Sequence, residues 1–291
     1  MLYTEHVLCV AASASAALRW AASLANHLGA TLHVVPHPSA QKGTDAREGQ
    51  PVWASPNVAD VPLRVPDPLP QSTPALLRYV TDAEIDLVVG DPSPAPATTP
   101  LLAAGAMQTL VRQLDRPVLV PQPAEQPTGL HDILVSTDLS MPALRAFRHA
   151  LSVARLYDAA VHVLHVVDSL PYVALTPMDR LSLGVRPLSE YRGRRRLQAF
   201  VAEGTAADVP VHPRLEYGDV AGRIVQAIDQ HDIDLLVLAA HGSGAPTSDA
   251  AFGTVTEHVL ERVCCSVFLL PTVDASLLAH PVDDEPPPPS S

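Results

Sequence analysis

Lysine is nearly missing from this chain. Lys42 is the only one, and every other side-chain cation but histidine is an arginine. Over 291 residues the formal net charge is −12. A surface of that sign repels phosphate backbones and anionic lipid, which speaks against nucleic-acid or membrane-surface binding. Cysteine is scarce too, with only Cys9, Cys264 and Cys265. The adjacent pair cannot form an ordinary disulfide, and no C-x-x-C or Cys/His zinc spacing occurs. Small buried hydrophobes in a reducing compartment are the expectation. No apolar run reaches the ~18–20 residues that span a bilayer. No N-terminal stretch combines a basic start, an apolar core and a small-residue cleavage site. These absences lead to the expectation of a cytoplasmic protein.

Catalytic signatures are also missing. There is no Gly-Lys-Ser/Thr of a Walker A loop and no complete dinucleotide fingerprint around Gly242 and Gly244. Ser243 lacks the G-x-S-x-G context of a nucleophile elbow. The thirteen histidines form no H-E-x-x-H, and His162 and His165 read as core or loop residues on a strand. A serious ATPase needs a metal-binding carboxylate, a cationic clamp and a water-positioning group. None of these is evident, so the chain is expected not to be an enzyme beyond, at most, slow ATP hydrolysis. Catalytic residues and metal ligands are accordingly none.

What is present is apolar material, at 47% of residues, and a repeat. His6-Val7-Leu8-Cys9-Val10 matches Asp132-Ile133-Leu134-Val135-Ser136 with a shift of 126. Ala59-Asp60-Val61-Pro62 matches Ala207-Asp208-Val209-Pro210, and Ile85-Asp86-Leu87-Val88-Val89 matches Ile233-Asp234-Leu235-Leu236-Val237, both with a shift of 148. The first half therefore lacks about 22 residues between Pro36 and Ala59. These correspond to a second helix predicted near 187–204, which the first half is expected to have lost or shortened. The proline-dense stretch Pro36–Pro74 reads as irregular with one strand near 61–65.

In the second half the runs 133–136, 161–167, 209–215, 234–240 and 266–270 are short and nearly continuous, as strands buried on both faces are. Between them, Leu144, Phe147, Leu151 and Ala154, then Ala221, Ile224, Val225 and Ile228, recur at helical spacing. Strand and helix alternate, which predicts an α/β fold: two doubly wound, Rossmann-like parallel-sheet domains in tandem. The expected division is 1–123, a short proline-rich linker, 130–273, and an acidic proline-rich tail over 274–291 expected to be disordered.

In such sheets ligands bind beyond the carboxyl ends of the strands. Two loops of the second half fall there. In Ser136-Thr137-Asp138-Leu139-Ser140, Asp138 either accepts from a ribose or adenine group or caps the following helix. In Ala239-Ala240-His241-Gly242-Ser243-Gly244, and on to Gly253-Thr254-Val255, glycines allow close backbone approach and a helix start favours an anion. The plainer reading is an ordinary glycine loop. The basic run Arg192, Arg194, Arg195 and Arg196 reads as a solvated helix face.

Asp138, Gly242, Gly253 and Thr254, in that order, resemble the universal stress protein family, with its early aspartate and its late G-x-x-G followed by Gly-Ser/Thr. The resemblance covers both halves, nearly 1–271. It implies an adenine-nucleotide-alpha-hydrolase-like fold, a stress-response role, and ATP or another adenine nucleotide, with magnesium, as ligand. The implied contacts are Asp138, Val166, Ala239, Gly242, Ser243, Gly244, Gly253, Thr254 and Val255. Two departures stand out: Ala239 replaces the first glycine, and ten residues, Ser243 through Phe252, stand where the family has about nine. The alternative is a scaffold that binds no nucleotide and acts through dimerisation and protein partners. The first half departs further. Ala11 and Ala12 replace the aspartate, and Pro92, Pro94 and Pro96 remove N–H donors from the corresponding loop. The family's habit of pairing last strands implies an internal pseudo-dimer through 118–120 and 267–270, with further homodimerisation of chains as an expectation.

Overall fold

The computed structural model describes residues 4–11, 15–36, 60–90, 114, 116–122, 129–168, 186–204, 208–240 and 254–271. The first half contributes β1 (His6–Ala11), α1 (Ala16–Leu28), β2 (Thr31–Pro36), β3 (Leu63–Arg64), α2 (Thr73–Asp82), β4 (Leu87–Gly90) and β5 (Val118–Val120). The second contributes β6 (Asp132–Ser136), α3 (Met141–Tyr157), β7 (Ala160–Val167), α4 (Arg186–Gly204), β8 (Val211–Tyr217), α5 (Val220–Gln230), β9 (Leu235–Ala239), α6 (Thr254–Leu260) and β10 (Ser266–Leu270).

The apolar runs become strands because they are buried on both sides. In β1, β4, β9 and β10 nearly every side chain is buried, as expected for strands covered by helices on two faces. All ten strands form one sheet, in the order β3-β2-β1-β4-β5-β10-β9-β6-β7-β8. Read outward from the centre, both arms follow the same sequence of strands. Every pairing is parallel except the central one, where Val267, Phe268 and Leu269 face Val120, Leu119 and Val118 antiparallel. Alternate strand residues feed two cores. Val7, Val34, Val135 and Val237 face a cluster with Trp20, Leu144 and Phe147 from α1 and α3. Leu8, Val35, Leu134 and Leu236 face Leu76, Ile224 and Val259 from α2, α5 and α6. Each fully buried Leu or Val contributes roughly 1.5–3 kcal/mol, so the sheet faces dominate the fold's stability.

The helices start and stop where local chemistry dictates. Ser15, Ser72 and Ser140 cap α1, α2 and α3, accepting from the N–H of Leu18, Ala75 and Ala143, each worth about 1 kcal/mol. Asp219 caps α5 in the same way. Gly29 and Asp158 end α1 and α3 in the left-handed region, at φ 67° and 56°. Glu84 and Asp232 repeat that conformation after α2 and α5, at φ 50° and 47°.

The two arms also share a hydrogen-bond pattern. One carboxylate oxygen of Asp86 accepts from the N–H of Glu5 and His6, at 2.8 and 3.0 Å. One oxygen of Asp234 accepts from His131 and Asp132, at 2.7 and 3.0 Å. Each aspartate ties the start of its central strand (β4 or β9) to the start of its neighbour (β1 or β6).

Boundaries differ modestly from the sequence reading. The strand predicted over 209–215 runs over Val211–Tyr217, because Val209 and Pro210 belong to the turn that delivers it. The strand near 61–65 is only Leu63–Arg64, and the helix near 187–204 is Arg186–Gly204. Most of Pro36–Ala59, the linker after Gln122, and the tail over 274–291 lie outside the described residues.

Candidate functional site

The chain passes from β6 to β7 on one side and returns through β8 to β9 on the other. The carboxyl ends of β6 and β9 therefore flank the point where strand order reverses, the crevice that binds ligands in doubly wound sheets. Ile133, Leu134 and Val135 pair with Leu235, Leu236 and Val237. Continuing that register sets Thr137 level with Ala239. The two loops singled out from sequence thus leave the sheet side by side.

The β6 loop is held by its own side chains. Thr137 is buried, its N–H bonds Leu164 O at 2.9 Å, and its hydroxyl accepts from Leu139 N–H at 2.9 Å. Asp138 Oδ1 accepts from Ser140 N–H at 3.0 Å, while Ser140 Oγ caps α3. The helix-capping role open to Asp138 therefore belongs to Ser140. Asp138 instead closes an Asx turn, exposed at the rim. Leu139, between them, sits at φ 66°, a conformation rare for a bulky residue. Strain of this kind persists only where the surroundings fix it, here by two side-chain-to-backbone bonds on either side. His165 Nδ1 stands 2.8 Å from Thr137 O, a third tie that the sequence reading passed over. Since a carbonyl only accepts, Nδ1 carries the proton there.

At the β9 end, Thr256 Oγ1 donates to Ala239 O at 3.3 Å and Ala240 N–H bonds Leu270 O at 2.8 Å. The first turn of α6 is thereby pinned to the strand end. Thr254 opens that helix, and Val255 beside it is 42% exposed, unusual for its type. The methyl of Ala239 is half-buried against the core on the α1 and α3 face. Val166 is a different case: its side chain is buried among the apolar residues facing α5, so only its backbone is left for a ligand. Gly242, Ser243, Gly244 and Gly253 lie outside the described residues.

Asp138, Ala239, Thr254 and Val255 are thus gathered at one edge of the sheet. The arrangement offers an exposed carboxylate turn, a half-buried strand end and the start of a helix. The corresponding end of β1 offers less. It closes on Ala11, fully buried, with Ser15 capping α1. Among the described residues no three His, Cys, Asp or Glu side chains converge as a metal site. No helix there is long and apolar enough to cross a membrane.

A parallel sheet with helices on both faces and a crevice at its switch point defines the doubly wound α/β class. Within that class, residues 129–271 match the model of the Universal stress protein family. The chain is 28% identical to a universal stress protein of Methanocaldococcus jannaschii over 138 residues, 47% of this chain and 80% of that protein. Its fold is similar to the crystal structure of a functionally unknown protein from Pseudomonas aeruginosa PAO1, with a TM-score of 0.68 at 19% identity, covering 92% of each chain. It is similar also to that of a universal stress protein from Archaeoglobus fulgidus DSM 4304, with a TM-score of 0.63 at 15% identity, covering 91% of this chain and 98% of that one.

Proposed function

We propose that the chain is a tandem universal stress protein, a stress-response binding module that takes an adenine nucleotide in its second half and uses its first as an internal partner. The observation that carries the nucleotide reading is the juxtaposition at the switch point of the Asp138 turn with the β9 end and the start of α6. Asp138 would hold ribose or adenine. The backbone near Ala239 and the segment through Gly253 and Thr254 would face the phosphates, with magnesium as counter-ion. The ligand would act by ordering the segment between Ala239 and Thr254, not by undergoing chemistry.

The tandem reading rests on the repeated Asp86 and Asp234 ties and on the matching strand order of the two arms. By this reading β5 and β10 are the pairing strands of an internal pseudo-dimer. Homodimerisation of whole chains is a further step, and a cytoplasmic location fits the acidic, cysteine-poor composition.

A scaffold that binds no nucleotide is favoured by one specific observation. The methyl of Ala239 stands where the family pattern has glycine, at the point where backbone approaches ligand. Mass spectrometry of the supernatant from denatured protein, followed by calorimetric ATP titration of the stripped protein with magnesium, decides between the two. Co-purified or titratable nucleotide near one per chain is expected, and Gly253→Asp is expected to abolish it by placing a carboxylate against phosphate. Absence of any heat at millimolar ATP would leave the scaffold.

A further inference from the structure

At the opposite edge of the sheet from the candidate site, three histidines meet. His162 on β7 lies between His212 on β8, with ring centroids 5.2 Å apart and tilted 39°, and His231, 5.5 Å away and nearly parallel at 7°. His231 is the C-cap of α5. His162 Nε2 stands 2.7 Å from Asp132 Oδ1 at the start of β6. The carboxylate only accepts, so that nitrogen carries a proton. Nδ1 is buried and has no hydrogen-bond partner.

We propose that His162, His212 and His231 form an acid-sensitive clasp that holds the last turn of α5 on the sheet at neutral pH and releases it as the pH falls. Asp132 offers His162 a carboxylate partner. A proton on His231 instead places a cation face to face with another imidazole. Arg214 stands near as well and adds a permanent positive charge.

The groups facing His231 are Asp132 from β6, His162 from β7, and Arg214 and Glu216 from β8, while His212 packs on His162. On its own segment Asp229 and Asp232 are nearest in sequence. Asp234, close by, already receives two backbone N–H groups. His231 is held below the ordinary histidine value of 6.5, first by burial, then by Arg214 and His162, with Glu216 and Asp132 pulling the other way. The clasped state therefore binds fewer protons than the released one, and release grows as pH drops below about 6.5.

The released segment leads somewhere. His231 is followed by Asp232 in the left-handed region and then by β9, whose far end is Ala239. Acid thus acts on the piece of chain that delivers the strand of the candidate site. A carboxylate bonded to His162 and an imidazole against each side of its ring give the clasp one state at neutral pH and another in acid, without a metal or ligand.

The test is amide hydrogen exchange of the whole chain from pH 7.5 to 5.0, with protection corrected for the intrinsic pH dependence. The peptide covering 225–233 in the unaltered protein is expected to lose protection progressively across that range. His231→Gln, at a partly exposed position, is expected to keep its protection within about twofold over the same range. Its companion His212→Gln, which keeps the Asp132 pair, is expected to shrink the loss. NMR titration of the imidazole Cε1 proton gives a second reading, with the His231 midpoint below 6.5 and moving upward in His162→Gln. Protection independent of pH in the unaltered protein, an identical loss in His231→Gln, or a His231 midpoint indifferent to its neighbours would each overturn the proposal.

Discussion

His33 on β2 and His162 on β7 occupy equivalent places in the two arms of the sheet, and their surroundings have diverged. His33 is fully buried with a partner on each ring nitrogen: its Nε2 is 3.1 Å from His6 Nδ1, and its Nδ1 is 2.6 Å from Tyr79 Oη. His162 has a carboxylate, Asp132, where His33 has His6. Burial, then the nearby His6 and Arg64, push the His33 imidazole down to about 4. One arm thus keeps its histidine neutral by enclosing it, whereas the other gives it a partner that tolerates charge. The same strand position holds an enclosed imidazole in the first half and a carboxylate-bonded one in the second.

The largest test of that contrast is the pH dependence of stability. The folded value of His33 lies below its unfolded value near 6.5, so the unfolded chain binds the extra proton. Stability from this group is full above about 6.5 and declines toward 4, by about 3 kcal/mol in all. Urea unfolding between pH 7 and 4.5 is expected to show that decline in the unaltered protein and less of it in His33→Gln; equal slopes would remove the distinction between the arms. Next comes what the arms share. Asp86→Ala and Asp234→Ala each strand two backbone N–H groups, and each is expected to cost about 2 kcal/mol by urea unfolding. Strongly unequal losses would mean that the repeated tie is no longer equivalent in the two halves. The smallest effect concerns an element with no counterpart among the described residues of the first half. A Cβ on Gly204, at the end of α4, would stand 2.5 Å from the Phe147 ring that stacks on Phe200. Gly204→Ala is expected to lower stability by about 1–2 kcal/mol in a thermal melt, with the first half unaffected in hydrogen exchange.

Much of the fold was legible because burial on both faces leaves an unambiguous mark: Leu235-Leu236-Val237-Leu238 can hardly be anything but a central strand. The repeat was legible for a related reason, since Asp86 and Asp234 are charges set just before such runs, where only a structural task explains them. Strand limits at the edge were less clear. His212, Pro213 and Arg214 belong to β8 although no side chain of that strand is fully buried, so its pattern carries little apolar signal. At the candidate site, sequence identified the loops but not the division of labour within them. Ser140 and Asp138 are two residues apart, and either side chain suits a cap, so only geometry tells which one takes it. The histidine cluster was hidden for a different reason. Asp132, His162, His212 and His231 come from four segments, and His162 looks like any polar residue on a buried strand until its neighbours across the sheet are known.

The antiparallel junction at the centre of the sheet has a consequence during synthesis. β5 is finished long before β10, which emerges about 150 residues later. At 5–20 residues per second the ribosome needs roughly 8–30 s to close that gap. Throughout that interval Val118, Leu119 and Val120 have no mate on the side that β10 later covers. Nascent neighbours on the same message carry the same edge, and edge-to-edge capture between them competes with the chain's own last strand. The shortness of β5, three residues with Pro117 before it and Pro121 after it, limits how far such a mispairing can extend.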